Sequence, residues 1–227
     1  MTIGTIPDDA TDDTVWDALV FFEARSLHDL NAADLAPLVA PFLVRCETVR
    51  TDRYVVRRGE LIAQAAVAAA NDTLDDTVSA VDEGMQRVVD RNRDAARYTR
   101  YFTSNPWIII RLGLQSELAK VRGWVASLKS EPETQLRQLG DTLEKNVKAG
   151  DAAVQGRIDA AAKRADHRVR EIVTLIDDVN ALRLSLYGTL VTRAAERKLP
   201  KDWPNRFFRR AERSPKQVPE VEAAAVT

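Results

Sequence analysis

The chain has 227 residues, 30% of them charged and 45% hydrophobic, with a formal net charge of −1. It is too apolar for a disordered polyelectrolyte and too charged for a membrane-embedded bundle, and its balance gives no general attraction to polyanions. One cysteine, Cys46, leaves no partner for an internal disulfide.

Charge is unevenly placed. Residues 1–34 carry eight acids against Arg25 alone, and residues 193–216 carry nine bases against Glu196, Asp202 and Glu212. Such ends either pair between copies or simply stay solvated. The start lacks the basic and apolar parts of a secretory signal. The longest apolar runs, Leu35–Val44 and Leu61–Ala70, fall far short of the roughly 20 residues of a spanning helix. The expectation is a soluble, cytoplasmic protein.

Residues 1–12 read as a flexible acidic lead. A first helix is predicted from Asp12–Thr14 to about Ser26, with Thr14 and Asp17 in capping-box spacing. Its apolar set is Val15, Trp16, Leu19, Val20, Phe21 and Phe22. Asn31 before Ala32-Ala33-Asp34 is another cap-like start. Pro37 and Pro41 predict a short broken helix and a new one entered at or after Pro41. Residues 13–51 together read as a helical cap, covering apolar surface through Trp16, Phe21, Phe22, Leu35 and Phe42.

From about Tyr54 to Phe102 the pattern is helical. Leu74, Val78, Val81, Met85, Val88, Asn92, Ala95, Thr99 and Phe102 alternate steps of four and three, the spacing of a coiled-coil seam. Asn92 would fix register or sit at a wet edge. Ala63–Ala70 is nearly all small residues, suited to close backbone approach. At Ser104-Asn105-Pro106 the helix stops or bends, with Asn105 able to cap and Pro106 suited to the first turn. Trp107, Ile108, Ile109, Ile110, Leu112 and Leu114 follow, and a helix continues through Leu118, Val121, Val125 and Leu128. Ser130-Glu131-Pro132-Glu133 has capping-box spacing and predicts another start.

Glu133 to Lys198 reads as one long helix around which the rest is organised. Its apolar positions are Leu136, Leu139, Leu143, Val147, Gly150, Val154, Ile158, Ala161, Ala165, Val169, Ile172 and Ile176. They repeat every 11 residues, about 3.67 per turn; beyond Ile176 the spacing is nearer a heptad. Folding back near Pro132 would set residue i opposite roughly residue 263 minus i.

The expected fold is therefore all-α: an elongated antiparallel helical hairpin or bundle with coiled-coil-like packing and a small N-terminal helical cap. Residues 52–199 form the hairpin, with a bend near 103–106 and a turn near 130–132. Residues 200–227 are a basic aromatic tail, largely disordered. In a competing layout residues 106–130 are a separate middle helix, which would leave much of 160–198 bare and imply a partner chain.

No catalytic constellation is visible. The histidines, His28 and His167, are not in zinc-ligand spacing, and no phosphate-cradling glycine loop is present. His167, between Asp166 and Arg168, reads as solvated, and Cys46 as a small buried residue. Asp75-Asp76 and Asp177-Asp178 are neighbours in sequence and diverge by about 100° on a helix. No enzyme activity, cofactor or metal is expected. Candidate partner-binding residues are Trp203, Arg206, Phe207, Phe208, Arg209 and Arg210, an aromatic and basic cluster, together with Trp107 and Ile108.

The expected function is that of a scaffold or assembly subunit working through helix–helix packing, as a homo-oligomer or with a partner protein. The alternative is a peripheral coat on a membrane or hydrophobic granule, against which the mixed charge of the polar face argues. Nucleic acid is the weakest reading, confined to Arg206, Arg209, Arg210, Arg213 and Lys216. No family resemblance is carried by these residues.

Overall fold

The computed structural model describes residues 3–209, and every element among them is helical. Two compact units divide the chain. One takes the chain up to Thr51 together with the chain from Val169; the other is Asp52–Arg168.

In the first unit, α1 (Asp12–Leu27) begins at Thr11, whose side chain accepts from Thr14 N, so the cap stands three residues before the predicted one. A 3-10 turn (Ala33–Val39) contains Pro37, and α2 (Ala40–Val88) starts afresh with Pro41 in its first turn, as the proline spacing predicts. These elements close on α8 (Thr174–Glu196) through Val15, Leu19, Phe22, Leu35, Val39, Cys46 and Val49 against Leu175, Ile176, Val179, Leu186 and Leu190. Phe22 and Leu35 are buried, and Trp16 and Phe42 pack partly buried against the same core. Phe21, expected with them, is half-buried and lies outside that core, and these residues share one unit with α8.

Two expectations for the chain ends are corrected. The acidic lead is docked, not free: Ile6 and Ala10 are buried, Ile6 N donates to Asn180 Oδ1 at 2.8 Å, and Asn180 Nδ2 returns a bond to Ile6 O at 2.9 Å. Arg183 donates to Gly4 O at 3.0 Å and lies over Phe208. The tail does not begin as disordered chain at residue 200. Trp203, Phe207 and Phe208 are core residues: Trp203 meets Phe207 edge-on, and Phe207 and Phe208 both lie tilted against Phe22. Aromatic area of this size is too costly to leave wet when α1 and α8 offer a cleft for it. Residues 210–227 lie outside the described residues.

The second unit holds the rest of α2, the short helices α3 (Ala96–Thr99), α4 (Pro106–Ile110), α5 (Leu114–Val121) and α6 (Trp124–Lys129), and α7 (Thr134–His167). α2 ends at Val88, fourteen residues before the predicted end, because Asp90 to Asp94 offers nothing apolar to bury; Asp90 and Arg91 turn into the left-handed region, φ 52° and 63°. Asn92 is therefore a loop residue, exposed, accepting from Asp94 N. The seam positions Leu74, Val78, Val81 and Met85 are fully buried.

α2 packs antiparallel on α7. Glu60 pairs with Arg164 at 3.0 Å, and Asn146 Nδ2 donates to Thr77 Oγ1 at 2.7 Å. Residue i of α2 thus faces about residue 224 minus i, not 263 minus i. The difference comes from residues 89–133, which form neither a turn nor a continuation of α2. They return along α7 as a third layer, in short helices where the competing layout has one, and residues 172–194 are not left bare as that layout requires. α5 and α6 approach α7 at two glycines: a Cβ on Gly150 would sit 2.9 Å from Leu118, and one on Gly140 3.0 Å from Lys129 N and Leu128.

The capping box at Ser130–Glu133 does not form. Glu133 precedes α7 without a side-chain cap, because its carboxylate is taken by Arg97. Arg97 also donates to Glu131 at 2.9 Å, and Tyr101 OH donates to Glu131 at 2.7 Å. These bonds fix α3 on the turn into α7. α7 is followed without a loop by a π-helical turn (Arg168–Val173) and then α8. The extra residue of a π turn accommodates the change of apolar period seen near Ile176.

Candidate functional site

The apolar stripe of the long helix is covered at its ends and bare in its middle. Leu136, Leu143, Val147 and Gly150 are buried, as are Ile172 and Ile176, whereas Ile158, Ala161, Ala165 and Val169 are exposed. α5 meets α7 at Gly150, and Ala153 and Val154 still pack partly buried against the same core before the stripe becomes exposed at Ile158. Farther along, Glu60 of α2 pairs with Arg164 of α7.

Over the same stretch α2 is apolar on two sides. Val56, Ala63, Val67 and Ala70 lie half-buried on the side of Glu60, toward α7. Turned away from them are Tyr54, Val55, Leu61 and Ile62, each 55–66% exposed, followed by Ala65, Ala66, Ala68 and Ala69. At 100° per residue, Tyr54, Leu61, Ala65 and Ala69 fall within an arc of about 80°. Large apolar side chains are scattered singly over most protein surfaces, whereas here four stand exposed along one side of a single helix.

The residues singled out from the sequence fare differently. Trp203, Phe207 and Phe208 are interior. Arg206 pairs with Asp202 at 3.0 Å, and Arg209 with Asp17 at 2.7 Å. The aromatic and basic cluster is thus largely spent on holding the first unit together, with Trp203 Nε1 donating to Asp29 at 2.8 Å. Arg210 lies outside the described residues. Trp107 and Ile108 are both more than half exposed on α4, with the Arg111 guanidinium 4.7 Å from the Trp107 ring centre. No protein-family model, curated protein or solved structure matches the chain.

The sequence neighbours Asp75 and Asp76 do not converge; Asp75 instead meets a carboxyl from another helix. Asp75 of α2 meets Glu117 of α5, which is fully buried. As two carboxylates they could only accept, leaving Asp75 Oδ1 and both Glu117 oxygens without partners. Burial, and then the Asp75 charge, push the Glu117 carboxyl up to about 8, so that it keeps its proton and donates to Asp75. Burial also raises Asp75. With Glu117 closed off from solvent and Asp75 half-buried, the pair is a structural bond between helices. Cys46 is buried and its thiol is pushed up to about 11, chiefly by desolvation. His167 is half-buried, not solvated, with Nε2 inside. Among the described residues no three His, Cys, Asp or Glu side chains converge to hold a metal ion, and no helix is long and apolar enough to cross a membrane.

Proposed function

We propose that the chain is a non-enzymatic assembly subunit that joins other protein through the outward face of α2. The observation that supports this most is the exposed run Tyr54, Val55, Leu61 and Ile62 on a helix whose opposite side already serves α7. Covering these side chains removes apolar surface from water at about 25 cal/mol per Å². The test is size fractionation of an extract from cells producing the chain. The wild type is expected in a species larger than its 25.3 kDa. Leu61→Glu with Ile62→Glu should run at the size of the single chain with unchanged helix content. A wild-type chain that itself runs as a single copy would remove the proposal.

A second reading, a peripheral coat on a membrane or hydrophobic granule, is favoured by Trp107 and Ile108, exposed together beside Arg111 on α4. Flotation with vesicles of anionic lipid tests it. Wild type should float and Trp107→Ser with Ile108→Ser should not; a wild type that stays at the bottom rules it out.

A further inference from the structure

We infer that the partner on the outward face of α2 is the same face of a second copy, laid antiparallel about a two-fold axis at Ala65. The inference rests on the assembly role proposed above and adds the identity of the partner and the register. Along the centre of the face run Tyr54, Arg58, Leu61, Ala65, Ala69, Asp72 and Asp76, all exposed. Their spacing, four-three-four then four-three-four, reads the same in both directions. Reversal about Ala65 therefore brings position onto position.

The side chains brought together are complementary. Arg58 meets Asp72 of the second copy, twice by symmetry. Leu61 meets Ala69 and Ile62 meets Ala68, so these two large side chains face small ones, while Tyr54 comes opposite Asp76 and Val55 opposite Asp75. Parallel pairing would instead oppose Arg58 to Arg58 and Asp72 to Asp72. Within the chain neither Arg58 nor Asp72 has an ion pair or a side-chain hydrogen bond among the described residues. Asp72 and Asp76 are like charges four apart on one helix face, an arrangement that disfavours the isolated helix until a cation is supplied. An isologous two-fold contact supplies it with no new residue, and is the commonest symmetry of soluble oligomers.

The size of the surface sets the strength. About 33 Å of helix, roughly 10 Å across, presents on the order of 330 Å² per copy, near 700 Å² in total, the size of a weak, transient contact. The dimer is thus concentration-dependent and not obligate.

Sedimentation equilibrium of the purified full chain, from micromolar to hundreds of micromolar, tests the pairing with charge exchange. The wild type should pass from one copy to two. Arg58→Asp and Asp72→Arg should each weaken the dimer about tenfold or more by setting like charges face to face. Arg58→Asp with Asp72→Arg in one chain should recover wild-type association to within a few-fold. Both sites are exposed, and circular dichroism of each variant confirms that the fold is kept. A wild type that stays monomeric throughout overturns the inference, as do single variants that dimerise normally or a double variant that stays monomeric. If any of these occurs while Leu61→Glu with Ile62→Glu still releases the chain from a larger species in extracts, the assembly role stands and only the self-pairing fails.

Discussion

Replacing Glu117 by glutamine should make the protein more stable, and more so the higher the pH. Glu117 of α5 is fully buried beside Asp75 of α2, and its carboxyl is raised from 4.5 to about 8. Between those values the folded chain holds a proton that the unfolded chain has released. Stability therefore falls as pH rises, by about 1.4 kcal/mol per unit, and levels off above pH 8. Below about pH 4.5 both states are protonated and the loss is absent. Integrated over the interval the loss is roughly 4–5 kcal/mol, an upper value because Asp75 shares the titration. Glutamine has the same shape, carries no charge, and can still donate to Asp75. Urea unfolding followed by circular dichroism, at pH values of about 5, 7 and 9, reads the difference. Wild type and Glu117→Gln should lie close together at the lowest pH and separate by several kcal/mol at the highest. Asp75, itself raised by burial, leaves a residual slope in the variant. Parallel pH profiles for the two proteins would refute the shared-proton arrangement.

Other substitutions probe the packing. Gly140→Ala should destabilise by about 1–2 kcal/mol, since its Cβ meets the Lys129 backbone at 3.0 Å; that overpacking outweighs the ~1 kcal/mol alanine gains in a helix. Gly156→Ala, with nothing within 4 Å, should instead raise the urea midpoint, by up to ~1 kcal/mol. Arg97→Met leaves Glu131, only 4% exposed, without its main partner and should cost about 2–3 kcal/mol in the same assay. Trp203→Ala opens a cavity beside Phe207 and Phe22 and should cost about 3–5 kcal/mol. A near-neutral result there would place the aromatic segment back among the contact residues.

Local signals in the sequence transferred well. The restart of helix at Pro41, the Asn105 cap with Pro106 behind it, and the buried steps Leu74, Val78, Val81 and Met85 all follow from neighbours within one or two turns. What failed was non-local. The register of α2 on α7 depends on how residues 89–133 fold, and nothing within α2 encodes that. Glu133 was free on paper to cap α7, but Arg97, 36 residues away, claims it. Asp75 and Glu117 meet only because two helices cross there. The aromatic run Trp203 to Phe208 looked like a tail because the cleft that receives it is built from residues near the other end of the chain. The outward face of α2 was hidden for another reason. Leu61–Ala70 is apolar round the helix except at Gln64, so periodicity cannot say which side the chain itself uses. The charged run Asp90 to Asp94 was a readable stop signal that the seam spacing concealed.

Thiol footprinting in cells addresses the α2 face most directly. Cys46 is buried, with its thiol pushed up to about 11, so it gives little background. Ala65→Cys places a reporter at the centre of the face, and Lys145→Cys places one on exposed α7. If other protein covers the face, Cys at 65 should be alkylated in the cell several-fold more slowly than in the dilute purified chain, while Cys at 145 reacts equally in both. Equal reaction of the two reporters in cells and in dilute solution would mean that the face stays in water, and the proposed interface would have to be given up.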